Sequence, residues 1–517
     1  MLLRGLRIIN MAHAVLKPYG GGRPERVDSV AQRVTFRRPR RRELRCAGGA
    51  SVYCENARTL DGKPYADKKE RIPIQVALQT SAEATRRRLE PSILAEHAEK
   101  QRQLEAIYRA ANDKLLEKKG YLLLNLQPTS SVRLYGEFIW TFKAPGARTL
   151  KVYNFKPGQN VIIRPMSSNR RKSVEGTVLE AGERAISIAL CLEASAVIDE
   201  WTVEKNVICR IEMAENDAST RRQLIALERL AVLPQSDRRQ EWCVRAILLQ
   251  SPRASSIASE VPSWFRRSSC QEAIKMELKK VSDLNKSQLL AVKAALTRTF
   301  TLWQGPPGTG KTRTILSFLR IMARLISYPE WRQEIGTILA VADTNTAADN
   351  ILDGLLQCGV RAVRVGQPSR VRPDLRNACV DALAETSMQG RRAKMLREEA
   401  SRMFQTVRAA KASGRISSQD AEQADREARK LWSQADAELA IVAQEILASS
   451  SVVVATCSGA GEARLRDWTW RVVVVDEATQ ATEPSTLVAL TKGAECVIMA
   501  GDHAQLPPTV VSQEAIR

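Results

Sequence analysis

From about residue 285 onward, near-continuous apolar runs alternate with helical patterns. The runs occupy residues 300–304 (FTLWQ), 335–342 (IGTILAVA), 451–457 (SVVVATC), 471–476 (RVVVVD) and 496–501 (CVIMAG). Strands this apolar along their whole length are covered on both faces, which predicts a parallel sheet with helical crossovers. Between 383 and 448 the pattern turns charged and helical. Gly414 and nearby serines divide that stretch into a hairpin of two helices. It is too long for a plain crossover and is expected to protrude from the sheet.

Upstream the period is shorter. Residues 121–142, 155–165 and 174–190 read as short strands of a small barrel or sheet, with Leu134, Phe138, Trp140 and Phe142 on one face, expected to be core. Residues 90–120 read as a helix ended by Gly120, with Ile93, Leu94, His97, Leu104 and Ile107 as its loosely spaced apolar set. Residues 1 to about 75 show no period. The expected order is therefore a largely disordered arm (1–80), a helical stalk (81–120), a β-barrel-like domain (121–212), a helical or linker region (213–282) and an α/β domain (283–517) with its helical insertion.

Charge adds a partner class. The chain carries 79 Lys and Arg against 57 Asp and Glu, a net +22, and the first 45 residues hold 12 basic and 3 acidic side chains. Such a balance favours polyanions, nucleic acid first. The cluster Arg37, Arg38, Arg40, Arg41 and Arg42 reads as a nuclear signal, a nucleic-acid arm, part of an organelle transit segment or a solvated basic tail. Nucleus, cytoplasm and organelle are all compatible with it. The ten cysteines form no C-x-x-C pair, so neither a disulfide framework nor a zinc ribbon is expected. No apolar run is long enough to span a membrane.

The chemistry is concentrated after residue 285. Gly305, Pro306, Pro307, Gly308, Thr309, Gly310, Lys311 and Thr312 fit G-x-x-x-x-G-K-[ST] between an apolar strand and an amphipathic helix, whose face is Ile315, Phe318, Leu319 and Met322. The glycines let successive N–H groups face phosphate oxygens at a helix start. Lys311 suits the β and γ phosphates, and the Thr312 hydroxyl suits Mg²⁺. Asp476 ends an apolar strand, where a carboxylate can orient the same ion, and Glu477 is the natural base for the attacking water. Gln505, in GDHAQLPP, can bond a γ phosphate. Gln288, in LNKSQLLAV, offers a donor and an acceptor to adenine, which points to ATP.

The ordered set LNKSQLLAV, QGPPGTGKT, ILAVADTNTAADNI, VVVATCSGAG, VVVDEATQATEP and GDHAQLPP resembles the motif series of superfamily 1B helicases. The branch it is most similar to holds the nonsense-mediated-decay RNA helicase and the immunoglobulin-mu-binding helicase. The upstream strands and the charged insertion are similar to the accessory barrel and inserted helices of that branch. The resemblance implies a RecA-like P-loop fold, ATP and Mg²⁺ use, single-stranded RNA or DNA as partner, and 5′→3′ movement. It also implies that Thr344, Asn345, Thr456 and Ser458 contact the nucleic-acid backbone. The family usually has proline before the Thr-Asn pair, where this chain has Asp343. The cysteine/histidine-rich zinc module of the decay helicase does not match any stretch here, which favours the mu-binding side of the branch.

The resemblance further implies a second RecA-like domain bearing arginine fingers. The chain stops at Arg517, sixteen residues after Gly501, so it is expected to be the N-terminal portion of such a helicase, binding ATP but turning it over slowly. The competing expectations are a non-catalytic ATP-gated RNA or single-stranded-DNA-binding module and, less in keeping with GDHAQLPP, a chaperone-like or transporter-type ATPase.

Overall fold

The computed structural model describes residues 13–15 and 68–516, apart from 136, 147, 167–172, 204–206, 216, 233–238 and 251–253. The basic cluster at 37–42 lies outside these residues. From Leu78 onward the chain forms one compact body together with the strand His13–Val15.

The apolar runs become a seven-stranded parallel sheet. Its strands are β1 (His13–Val15), β8 (Phe300–Gln304), β9 (Ile338–Ala342), β10 (Ala362–Arg364), β11 (Val452–Thr456), β12 (Val472–Asp476) and β13 (Cys496–Gly501). Their order is β1-β8-β13-β12-β9-β11-β10. This is a RecA-like sheet. Valine dominates its centre because β-branched side chains suit a pleated surface packed from both sides. Alternate residues serve opposite cores. Val473 and Val475 join Leu487 and Leu490 on one face, while Val472 and Val474 join Ile315 and Phe318 on the other.

Two strands differ from expectation. His13–Val15 falls in the arm expected to be disordered, yet its backbone pairs in parallel with Leu302–Gln304, because β8 would otherwise present an open ladder. Ala362–Arg364 is three residues long with arginine at its end, so no apolar run announced it.

The barrel closes from six antiparallel strands: β2 (Leu122–Leu134), β3 (Glu137–Lys143), β4 (Asn160–Pro165), β5 (Val174–Ala181), β6 (Ala185–Leu190) and β7 (Cys209–Met213), in the order β2-β3-β6-β5-β4-β7. Trp140 and Phe142 are in its core, as their alternation implied, and the Trp140 indole donates to Ser195 Oγ at 2.9 Å. Phe138, half-buried, packs against that core and against the inserted hairpin as well. It stacks on Trp432 of the inserted hairpin, with ring centroids 5.9 Å apart.

That hairpin consists of the helices Met388–Ala412 and Ser418–Ser449, capped by Ser387 and Ser417 and joined through Gly414 at φ +68°. Arg397 lies over the Trp432 ring at 5.4 Å and pairs with Asp436 and Glu385. Glu385 also pairs with Arg133 of β2 at 3.1 Å, so barrel and hairpin share one charge network. The barrel touches the sheet domain elsewhere too. Glu137 accepts from the Ser369 backbone N–H and hydroxyl, and the Tyr135 hydroxyl donates to Asn377 at 2.7 Å.

The single helix expected over 90–120 is two. The first, Lys68–Arg109, begins well upstream, and the second, Asp113–Lys118, restarts where the Asn112 side chain accepts from Leu115 N–H. The long helix is braced on the sheet domain. Arg88 pairs with Glu483 at 3.2 Å, and the Glu96 carboxylate accepts the backbone N–H groups of Val511 and Ser512. No helix among the described residues is long and apolar enough to cross a membrane.

Candidate functional site

The residues singled out in the sequence gather at the carboxyl ends of the parallel strands, where open α/β sheets bind ligands. Strand order sorts them. Adjacent β8, β13 and β12 end in the phosphate loop, the Gln505 loop and Asp476, while β9 and β11 end in Thr344 and Thr456. β12 borders both groups: Asp476 is in register with Ala342 of β9, and Val475 with Met499 of β13.

The phosphate loop is held open by two glycines that no other residue would replace easily. Gly308 and Gly310 have φ of +77° and +78°. A Cβ at Gly310 would also come within 2.6 Å of the Gln288 amide nitrogen. That amide is committed at both ends. Its Oε1 accepts from Asn285 N–H, closing a capping box on the helix Lys286–Leu296, and its Nε2 donates to the Thr309 carbonyl at 2.9 Å. Gln288 is 2% exposed. It fastens the loop to the preceding helix, with one N–H and one lone pair of the amide beyond these two bonds.

Lys311 opens the helix Lys311–Leu325, and the face expected from Ile315, Phe318, Leu319 and Met322 is buried. Its ammonium donates to the Gly305 carbonyl at 2.9 Å, within the ring of backbone that a phosphate would enter. Thr312 Oγ1 donates to Asp476 Oδ2 at 3.0 Å. Burial pushes the Asp476 carboxyl up to about 6, and the neighbouring Glu477 charge adds to this. Bonds from the Glu477 backbone N–H and the Thr312 hydroxyl, with the Lys311 charge, pull the other way. A desolvated carboxylate beside a hydroxyl is the hard-oxygen donor set that Mg²⁺ favours, so these residues fit the ion.

Glu477 adopts φ +49°, a left-handed conformation that costs a non-glycine residue roughly 1–3 kcal/mol and turns its side chain out of the strand line. The Gln480 amide donates to its carboxylate at 3.3 Å. Gln505 Nε2 donates to Asp502 Oδ2 at 3.1 Å, so the two side chains of GDHAQLPP form one unit.

The second group keeps donors available. Thr344 caps the helix Asn345–Gln357 by accepting from Ala347 N–H, and Thr456 accepts from Gly459 N–H, which leaves each hydroxyl proton for another acceptor. Asn345 Oδ1 accepts from Arg364 Nη2 at 2.9 Å, fixing which way its amide points. The Asp343 side chain accepts from the Ser485 hydroxyl at 2.9 Å, and burial raises its pKa. Its carboxyl is thereby engaged by the helix that follows the Asp476 loop.

Sequence reasoning missed Arg364. It is 1% exposed, pairs with Asp349 at 3.1 Å and carries Asn345 on its other arm. The only available signal was an arginine between apolar residues in a three-residue strand.

Residues 283–513 match the family model described as an AAA domain. An uncharacterized ATP-dependent helicase of Methanocaldococcus jannaschii is 30% identical over 69% of this chain and 53% of its own length. The DNA polymerase alpha-associated DNA helicase A of Schizosaccharomyces pombe is 28% identical over 77% of this chain and 57% of its own. A regulator of nonsense transcripts 1 homolog of Drosophila melanogaster is 33% identical over 46% of this chain and 18% of its own. The chain is related to superfamily-1-like helicases. It spans about half the length of the first two relatives, and those two helicase matches are too long to lie within residues 283–517 alone. The helicase-like domain thus comes with related sequence upstream, where the barrel stands.

Proposed function

We propose that this chain is the ATP-binding and nucleic-acid-gripping part of a helicase that moves on single-stranded RNA or DNA, with 5′→3′ polarity as its family resemblance implies. The observation that carries the reading is the position of β12. Asp476 bonds Thr312 of the phosphate loop on one side and is in register with the strand that ends at Thr344 on the other. Nucleotide and strand therefore act on the same wall.

In this reading Lys311 neutralises the β and γ phosphates, Thr312 and Asp476 hold Mg²⁺, Glu477 takes a proton from the attacking water, and Gln505 contacts the γ phosphate. Held by Thr312 and Asp476, Mg²⁺ would supply charge neutralisation to the phosphates. Thr344, Asn345, Thr456 and Ser458 bond the strand's backbone. A second RecA-like domain is the partner that closes the cleft. An arginine from such a partner is worth roughly 10³–10⁵ in rate.

The test is ATP binding and turnover by the purified chain with and without poly(U) and single-stranded DNA, beside Lys311→Ala. Nucleotide binding that responds to a strand and disappears in Lys311→Ala is expected. Binding or turnover indifferent to both polymers would count against a nucleic-acid motor and for another P-loop ATPase.

A further inference from the structure

The four side chains assigned to the strand, Thr344, Asn345, Thr456 and Ser458, are all neutral. Grip on a polyanion draws mainly on cations, which release counterions from the phosphates. Two arginines outside every motif lie near one another at this edge, Arg222 against Ser458 and Arg370 against the barrel.

Arg222 projects from the helix Asp217–Ala231, and its Nη1 donates to the Ser458 carbonyl at 3.1 Å. Its stem presses on the loop after β11, where a Cβ at Gly461 would come within 2.9 Å of Arg222 Cγ. Glycine there lets the arginine lie flat on the loop. Arg370 follows β10. Its Nη2 donates to Asn160 Oδ1 and to Thr177 Oγ1, spanning to β4 and β5 of the barrel, while its Nε is buried without a partner.

Both arginines are half-buried, and the charge of Arg222 bears on Arg370. Burial lowers the pKa of each, opposed by the charge of Glu462 on both and of Glu137 on Arg370. Neither makes an ion pair among the described residues. The nearby carboxylates are engaged elsewhere: Glu137 accepts from Ser369, and Glu462 pairs with Arg464 at 2.9 Å. Two neighbouring, partly desolvated cations without a paired anion are costly, and guanidinium forks match phosphate oxygens.

We infer that Arg222 and Arg370 form a phosphate-binding pair for a single nucleic-acid strand lying between the barrel and the carboxyl edge of the sheet. This rests on the nucleic-acid reading above and supplies the charge that the motif residues lack. The contact is to phosphodiester, so RNA and DNA are held alike.

The experiment is fluorescence anisotropy of labelled oligo(U) and oligo(dT) across a salt series, for the unaltered chain, Arg222→Gln, Arg370→Gln and the corresponding lysine variants. Each glutamine variant is expected to flatten the slope of log affinity against log salt by about 0.7, the contribution of one neutralised single-strand phosphate. Both polymers should be affected equally, and lysine should restore the slope. Unaltered chain that binds neither polymer overturns the nucleic-acid reading and the pair with it. Unaltered chain that binds, with both glutamine variants keeping its slope, overturns the pair alone. Should a variant fail to fold, phenylglyoxal labelling of the unaltered chain decides: oligo(U) is expected to protect Arg222 and Arg370, and equal labelling with and without it overturns the proposal.

Discussion

Thr312 and Asp476, 164 residues apart in sequence, are joined by a 3.0 Å hydrogen bond from the threonine hydroxyl to the carboxylate. The bond closes the phosphate loop against the end of β12. Asp476→Asn keeps the shape and removes the charge. Nucleotide affinity measured in Mg²⁺ and in EDTA should differ clearly for the unaltered chain and converge for the variant. The metal-dependent part should fall by on the order of 10–100-fold, the cost of losing even an outer-shell partner of a bound metal. An unchanged Mg²⁺ dependence would remove Asp476 from the ion's shell.

Gln288 makes its separate prediction through Thr309. Gln288→Ala leaves the Asn285 N–H and the Thr309 carbonyl without their partner, and a buried unsatisfied group costs about 1–3 kcal/mol. The phosphate loop should loosen, so ATP and GTP should lose affinity by the same factor in a competition titration. A loss confined to ATP would show that the amide reads adenine.

Lys492 is 4% exposed, and its amine donates to the Ala460 and Leu465 carbonyls. Burial first, then the Arg229 charge, lower its pKa to about 7, against a smaller pull from Asp467. Above that value the folded chain holds a neutral amine while the unfolded chain stays protonated up to the ordinary lysine range. Folding then releases a proton, so this contribution is full above the ordinary lysine pKa and is lost as pH falls to about 7. Between pH 7 and 9 the unaltered chain should gain on the order of 2 kcal/mol relative to Lys492→Met, read from denaturation at each pH. Parallel curves for the two proteins would refute the assignment.

Trp432 joins the hairpin to the barrel through Phe138 and lies under Arg397. Trp432→Ala should cost about 3–5 kcal/mol of local packing, the usual range for a buried tryptophan. Amide hydrogen exchange should accelerate along Ser418–Ser449 while nucleotide affinity stays as it was. Exchange unchanged along that helix would mean the stack holds nothing in place.

Much of this could be read from the chain. Phe300–Gln304 and Cys496–Gly501 are strands over the full span of their apolar runs, and the phosphate loop sits between strand and helix as its residues imply. Chemistry that depends on one side chain and its local backbone is legible in this way. What escaped depends on partners distant in sequence. The placement of Arg364 is set by Asp349 and Asn345, and that of Arg222 by the Ser458 carbonyl. The stalk was misjudged for a related reason. Its helix is steadied by Glu483 and by Val511–Ser512, hundreds of residues away, and its weak apolar spacing shows only part of that support.

The hairpin's dimensions carry a mechanical consequence. Its longer arm, Ser418–Ser449, has 32 residues and so reaches roughly 48 Å, with Trp432 roughly 25 Å from the root at Ser449. Phe138 therefore presses near the midpoint of a lever whose root continues into β11. Ala443 and Leu447 embed the root in the sheet-domain core, so the stack on Phe138 braces the arm between that anchor and the far turn at Gly414.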